Sequence, residues 1–184
     1  MLGPADPLSP SPRRVVVAGP SGVGKTSIAR RNEAASGIRH TEVDALFHGP
    51  GWVPRPEFRS DVETFTSEPS WVTEWSYSSQ LGDLLEARAD TMVWLDFPVW
   101  VHMGRLVRRT LRRRLRREAL WNGNVEPSLW TFFTDPDHIV RWGWRARAVL
   151  RRRVADVERT QPHLRVVRVR SQGEADSWVR SIAR

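Results

Sequence analysis

The chain has 184 residues, no cysteine and a formal net charge of +8. This length suits one domain with a buried core, and the lack of cysteine excludes disulfides and cysteine-ligated zinc. The absence of cysteine fits a cytoplasmic protein, which we expect. No apolar run approaches the roughly 18 residues that a membrane span needs.

The first twelve residues contain four prolines and little that is apolar enough to form a core. Such a composition is typical of disordered segments. The sequence therefore predicts a disordered extension over residues 1–12, followed by a single domain over residues 13–184.

The first predicted strand leads directly into a glycine-rich loop. Arg14–Ala18 is a β-branched run, Gly19–Thr26 matches G-x-x-x-x-G-K-[ST], and a predicted helix covers residues 25–36. This order of strand, loop and helix is what a P-loop requires. Lys25 is the single lysine in a chain that otherwise uses arginine, and a slim ammonium suits a place beside nucleotide phosphates.

The P-loop predicts binding of a nucleoside triphosphate, which we take to be ATP. Backbone N–H groups and the helix N-terminus cradle the phosphates, Lys25 reaches them, and the Thr26 hydroxyl ligates Mg²⁺. The predicted nucleotide-binding residues are Gly19, Ser21, Gly22, Val23, Gly24, Lys25, Thr26 and Ser27.

The rest of the chain alternates between predicted strands and helices. Further strands are expected at Arg39–Val43, Ser70–Glu74, Thr91–Asp96 and Leu164–Arg170, and further helices at 55–67, 78–88, 99–120, 136–158 and 172–183. Such alternation predicts an α/β fold with a parallel sheet covered on both faces. Turn residues between about 118 and 136 indicate a loop.

Acidic residues stand where the predicted strands end, which is where a parallel sheet carries its reactive groups. Asp44 either caps a helix or orients an acceptor hydroxyl, and Glu42 lies two residues before it. Glu74 and Asp96 both end apolar runs, and the pattern alone does not decide which of them lies beside the metal.

Two arginine clusters, at 105–117 and 141–153, account for much of the positive charge. They suit the phosphates of a small ligand, the phosphates of a nucleic acid, or a solvated helix surface. These three interpretations stay open at this point.

Several motifs together resemble one group of proteins. They are Gly19–Thr26, residues 42–46, residues 48–52, residues 94–98, and the arginine-rich helix that leads into residues 121–126. They are similar to the bacterial topology modulation proteins, P-loop ATPases related to adenylate, shikimate and gluconate kinases. The similarity covers roughly residues 13–150.

This resemblance implies a three-layer P-loop NTPase fold like that of nucleoside monophosphate kinases, with a five-stranded parallel sheet in the order 2-3-1-4-5. It implies a helical lid at about residues 112–136 and an acceptor pocket beyond the second and third strands. It also favours Glu74 over Asp96 as the metal-side carboxylate. Trp75 stands where the group tends to have glycine, and we expect it to crowd the site.

The implied reaction is transfer of the γ-phosphate of Mg-ATP to a small acceptor, either a nucleoside monophosphate or a hydroxylated metabolite. Thr26 and Glu74 would hold Mg²⁺, and Asp44 would orient the acceptor. The arginines at 109, 113 and 117 lie four apart on one helical face and would close over the transferred group. The adenine is expected between the lid arginines and residues 171–173.

Two other functions stay open from the sequence. One is a nucleic-acid-associated ATPase or regulator, suggested by the charge, although the sequence contains no familiar nucleic-acid-binding motif. The other is a nucleotide-dependent binding protein without turnover. The sequence indicates no membrane partner and does not predict the acceptor, the base preference or the oligomeric state.

Overall fold

The computed structural model describes residues 1–116 and 139–183, without the side chains of 109–111, 113–116 and 139–146. Its centre is a four-stranded parallel sheet in the order β2-β1-β3-β4. The strands are β1 (Arg14–Ala18), β2 (Trp71–Glu74), β3 (Thr91–Leu95) and β4 (Arg165–Val169). Because all four run in the same direction, their carboxyl ends form one edge of the sheet.

Helices follow the strands in the alternation that the sequence predicts. They are α1 (Lys25–Ser36), α2 (Val43–Phe47), α3 (Phe58–Thr66), α4 (Ser78–Leu81), α5 (Leu84–Arg88), α6 (Val99–Arg116), α7 (Ile139–Thr160) and α8 (Gln172–Ile182), with a 3₁₀ turn at Pro50–Trp52. The predicted helix over 78–88 is divided at Gly82, whose φ of 65° is incompatible with a continuous helix. Within the described part of the chain, no helix is long and apolar enough to cross a membrane.

The prediction of a fifth strand at Arg39–Val43 is wrong for this structure. Only His40 forms a bridge, to Val72 of β2, with Thr41 N–H donating to the Val72 carbonyl at 2.9 Å. The chain then turns into α2 at Val43, whose side chain is buried. Because the helix begins so early, too few residues remain to continue the ladder. The four strands that do form keep the order that the resemblance implies.

The sheet is covered on both faces, which explains why its central strands are continuous apolar runs rather than alternating ones. Val16 and Ala18 of β1 pack into one apolar cluster with α3, α5 and α7. Val15 and Val17 point to the opposite face and pack with α1 and α8. These two layers hold β1 rigidly at the centre of the molecule.

The proline-rich segment has contacts at both of its ends. Leu2 pairs with Val167 of β4, its N–H donating to the Val166 carbonyl at 2.8 Å, and the Arg165 guanidinium donates to the Pro10 carbonyl at 2.5 Å. The expectation that residues 1–12 are disordered in solution stays a prediction that limited proteolysis can test.

Asp90 joins three strands at the edge of the sheet opposite the carboxyl ends. Its carboxylate accepts hydrogen bonds from the Arg14 N–H at 2.8 Å, the Thr91 hydroxyl at 2.8 Å and the Arg165 guanidinium at 3.3 Å. One side chain therefore fixes the starts of β1, β3 and β4 relative to one another.

We expect Asp90→Ala to lower the free energy of unfolding by about 2 kcal/mol, because several charged hydrogen bonds are lost at once. Urea denaturation followed by circular dichroism measures this loss. The matched control is Asp156→Ala, since Asp156 is exposed and pairs with Arg159 of its own helix. Equal stability of the two variants would contradict the role given to Asp90.

Candidate functional site

The P-loop follows β1 and is shaped by two glycines in the left-handed region. Gly22 has φ 80° and Gly24 has φ 107°, and Gly24 is the N-cap of α1. A Cβ on Gly22 would lie 2.7 Å from the Leu106 Cβ and 2.8 Å from the His102 carbonyl oxygen. The loop therefore packs so closely against α6 that glycine is required there for space as well as for conformation.

The loop forms the floor of a cleft of about 680 Å³ at the carboxyl edge of the sheet. Six of the eight predicted nucleotide-binding residues line it: Ser21, Gly22, Gly24, Lys25, Thr26 and Ser27. The other two, Gly19 and Val23, pack beneath the loop, where a Cβ on Gly19 would lie 2.7 Å from Val23 Cγ1. The cleft thus has the N–H groups, helix N-terminus and ammonium that bind phosphates.

Glu74 at the end of β2 lines the same cleft as Thr26. Its buried Oε1 lies 3.1 Å from His40 Nε2. Burial alone would raise the pKa of Glu74, but the hydrogen bond and charge of His40, with the nearby Thr26 hydroxyl, hold it below its usual value. Its Oε2 is buried without a hydrogen-bond partner among the described residues. An unsatisfied carboxylate oxygen near a hydroxyl is a donor set that suits Mg²⁺.

Asp96, the alternative metal-side carboxylate, has different neighbours. Arg147 Nη2 and Arg151 Nη2 lie 3.1 and 2.9 Å from its oxygens, and Arg168 Nη2 lies 2.5 Å away. Although burial opposes ionisation, the hydrogen bonds from Arg151 and Arg168 and the charge of Arg147 hold the pKa of Asp96 low. Its oxygens are thus occupied by three guanidinium groups, and it ties α7 to the ends of β3 and β4.

Asp44 on α2 also lines the cleft. Its Oδ1 accepts a hydrogen bond from the Tyr77 hydroxyl at 2.7 Å, and that hydroxyl oxygen lies 3.1 Å from His48 Nε2. Asp44 does not cap α2, because Glu42 occupies the N-cap position. The carboxylate therefore faces the cleft and does not cap the helix.

Helix α6 brings three arginines with described side chains to the cleft. Arg105, Arg108 and Arg112 line the cleft. The predicted Arg109 and Arg113 are each one position further along the helix, a rotation of about 100°. The side chains of Arg109 and Arg113, and Arg117 altogether, lie outside the described residues, as does most of the predicted lid over 112–136.

Arg105 connects the P-loop to α8. Its guanidinium donates to the Val23 carbonyl and to Gln172 Oε1, both at 3.0 Å, and lies 5.4 Å from the Phe97 ring centroid. Gln172 belongs to the turn near which the adenine is expected. The structure therefore brings an arginine of α6 to this turn, and the position of the adenine between the lid arginines and the turn stays a prediction.

Two further arginines that the sequence analysis did not single out line the cleft. Arg30 pairs with Glu42 at 3.1 Å, and Arg31 pairs with Asp176 at 2.8 Å. Arg30 and Arg31 each follow a P-loop residue, Thr26 or Ser27, by four positions, and this spacing is the signal that was available. One helical turn brings such residues back toward the mouth of the loop.

Trp75 does not crowd the cleft, contrary to the expectation from the sequence. Its indole N–H donates to Glu86 Oε2 at 2.7 Å, and its ring lies 4.5 Å from the Arg153 guanidinium carbon. Successive strand residues point to opposite faces. Since Glu74 faces the P-loop, Trp75 turns into the apolar layer beneath.

No protein-family model and no curated protein sequence matches this chain. Among solved structures, it is similar to a shikimate kinase from Acinetobacter baumannii in complex with shikimate, at 18% identity and a TM-score of 0.57 over 92% of this chain and 90% of that one. A gluconokinase from Sinorhizobium meliloti 1021 is 20% identical, with a TM-score of 0.48 over 94% of this chain and 92% of that one. A sugar kinase from Janibacter sp. HTCC2649 is 22% identical, with a TM-score of 0.48 over 92% of both chains. The likeness to shikimate kinase shows the fold alone: an α/β domain with a parallel sheet like the one in that protein.

The pKa of Glu74 yields a prediction about stability and pH. Because this pKa is lower in the folded protein, ionised Glu74 stabilises the fold above the unfolded value of about 4.3, and this stabilisation is lost as pH falls through the folded pKa. Glu74→Gln should therefore be less stable than the wild type at pH 7, and the difference should shrink below pH 4. Urea midpoints across pH measure it, with exposed Glu68→Gln as the control. A difference that grows on acidification would contradict the assignment.

The close packing of Gly22 predicts a loss of nucleotide binding on adding one methyl group. Gly22→Ala should weaken binding of a non-hydrolysable ATP analogue at least about 10-fold, since the loop must move away from α6. Gly37→Ala is the matched control, because Gly37 has φ 75° but nothing within 4 Å of its would-be Cβ. Isothermal titration calorimetry of both variants measures the effect, and equal affinities would refute the packing argument.

Proposed function

We propose that the protein is an ATP-dependent phosphotransferase that moves the γ-phosphate of Mg-ATP to a small acceptor, either a nucleoside monophosphate or a hydroxylated metabolite. One observation carries this proposal. A single cleft holds phosphate-binding residues, including Lys25, and a carboxylate, Asp44, that is not part of the P-loop. A protein that only binds ATP has no need of the second group.

The P-loop side of the cleft binds and orients the triphosphate. Backbone N–H groups and Lys25 hold the phosphate oxygens, and Thr26 with Glu74 would hold Mg²⁺, which neutralises phosphate charge when bound. Arg108 and Arg112 line the same space and supply positive charge for the equatorial oxygens of the transferred group. Arg109, Arg113 and Arg117 stay predicted members of this set.

When the acceptor is a hydroxylated metabolite, the acceptor side holds the attacking hydroxyl, whereas a nucleoside monophosphate would attack through an ionised phosphate oxygen and give Asp44 no proton. Asp44 accepts a hydrogen bond from the attacking hydroxyl and takes the hydroxyl proton as the new bond to the γ-phosphorus forms. The bond between the γ-phosphorus and the β–γ bridging oxygen breaks, which releases ADP. Positioning and charge neutralisation, without a covalent enzyme intermediate, account for the rate in such reactions. Closure of the predicted lid would exclude water.

No observation on the described residues favours the nucleic-acid alternative. Several arginines that contribute to the positive charge are paired with carboxylates, among them Arg30, Arg31, Arg147, Arg151 and Arg168. Their charge is partly neutralised within the molecule. Membership of the topology modulation group and a cytoplasmic location stay predictions from the sequence.

The proposal predicts that one acceptor stimulates ADP release. The assay is ADP formation from Mg-ATP with a panel of nucleoside monophosphates and hydroxylated metabolites. Stimulation should fall about 100-fold or more in Lys25→Ala, because a charge that stabilises the transition state is lost. Asp44→Asn should lower stimulation about 100-fold, because the group that takes the proton is lost, yet leave ATP affinity unchanged.

Arg159→Ala is the control for loss of a positive charge, since this residue is exposed and does not line the cleft. A flat response to every acceptor, with slow hydrolysis that depends on Lys25, would contradict a small-molecule kinase. Tight ATP binding with no ADP at all would indicate a binding protein without turnover.

A further inference from the structure

Three side chains beside the acceptor end of the cleft form a directional chain of hydrogen bonds. The Tyr77 hydroxyl donates to Asp44 Oδ1 at 2.7 Å, so its oxygen is free to accept from His48 Nε2 at 3.1 Å. This direction requires the proton of His48 to be on Nε2. Since Tyr77 occupies Oδ1, the other oxygen of Asp44 is the one left for a ligand.

Aromatic rings hold this chain in place. Tyr77 packs against Phe47 with ring centroids 4.3 Å apart and against Phe58 at 5.2 Å, while His48 meets Trp52 edge-on at 5.0 Å. A phenol packed in this way cannot change rotamer without opening the cluster. The position of its hydroxyl, and hence of the Asp44 carboxylate, is set by packing.

Backbone strain is found at the same cluster. Tyr77 with φ 58° and Trp52 with φ 63° are the non-glycine residues with positive φ in the described part of the chain. Large side chains rarely adopt this region, and such conformations concentrate at functional sites. The fold keeps Tyr77 and Trp52 in strained positions where glycine would be free of strain, and both rings contact His48.

We propose that Tyr77 and His48 are positioning residues for the reaction, fixing Asp44 so that Oδ2 alone receives the proton of the acceptor hydroxyl. This inference rests on the proposed function for the role of Asp44. Tyr77 keeps its own proton throughout and acts only by holding Oδ1. The acceptor must therefore present a hydroxyl to one fixed carboxylate oxygen.

The charges that face Tyr77 agree with a permanent donor. Burial, then the hydrogen bond and charge of Asp44 on α2, and then the charge of Glu74 on β2 raise the pKa of Tyr77 far above its usual value. His48 contacts the Tyr77 hydroxyl as well. The phenol consequently stays protonated over the pH range in which a kinase works.

The first test does not require an acceptor. Tyrosine is the side chain whose phenol titrates near pH 10, and its ionisation is followed by ultraviolet absorbance at about 295 nm. Because Tyr77 is the only tyrosine in the chain, this absorbance change reports the ionisation of Tyr77 alone. We expect Tyr77 not to ionise at pH 10 in the folded wild type. In Asp44→Asn, the pH midpoint of Tyr77 ionisation should be at least about one pH unit lower than in the wild type. Glu42→Gln removes a neighbouring cleft carboxylate and should leave the midpoint unchanged. Equal midpoints in wild type and Asp44→Asn would overturn the chain of hydrogen bonds.

The second test is a double-mutant cycle with the acceptor found in the ADP assay. Tyr77→Phe keeps the ring and should lower kcat about 10-fold with ATP affinity unchanged, but it should have no further effect in Asp44→Asn, because Tyr77 acts through that carboxylate. His48→Gln keeps a donor and should retain more activity than His48→Leu. Additive losses, or equal His48 variants, would overturn the positioning role.

The two tests separate this inference from the function on which it rests. If no acceptor is found, the proposed function fails, and the titration still decides whether Asp44 and Tyr77 are coupled. If an acceptor is found and the effects in the double-mutant cycle are additive, the proposed kinase function is supported and the positioning role of Tyr77 and His48 is rejected.

Discussion

The arrangement of the site depends on the contact between the P-loop and α6. Gly22 lies so near Leu106 and the His102 carbonyl that a side chain cannot be inserted between them. Because loop and helix touch at this point, the contact fixes the position of the α6 arginines relative to the phosphate site. Arg105 stabilises the contact by donating a hydrogen bond to the Val23 carbonyl. The interior position of β1, from which the loop starts, gives this contact a rigid support.

Most of the fold could be predicted because its signals are local. The bounds of β1 and α1 agree with the sequence analysis, since a β-branched run, a glycine loop and a helix succeed one another without ambiguity. The prediction of a strand at Arg39–Val43 was wrong because the sequence pattern there is compatible with either a strand or the start of a helix. There the competition between α2 and the sheet edge decides, and it depends on packing.

The site was predicted less completely, since it depends on which way side chains point. Glu74 and Asp96 look equivalent as sequence, yet one lies in the cleft beside Thr26 and the other is surrounded by three arginines from two distant elements. Likewise, arginine occurs at so many positions of α6 that the sequence cannot indicate the face toward the cleft. Tyr77 was not singled out and His48 entered as part of the motif over residues 48–52, because their connection to Asp44 exists only after the chain folds.

Both outer strands of the sheet have part of their free edge occupied by nearby chain. Leu2 exchanges hydrogen bonds with Val166 and Arg168 along β4, and residues 39 and 41 do the same with Val72 of β2. An unpaired strand edge is a template for strands from other molecules, and short covering segments are one way in which proteins block such growth. The proline-rich start and residues 39–41 thus leave fewer unpaired N–H and C=O groups on β4 and β2 with which another chain could pair.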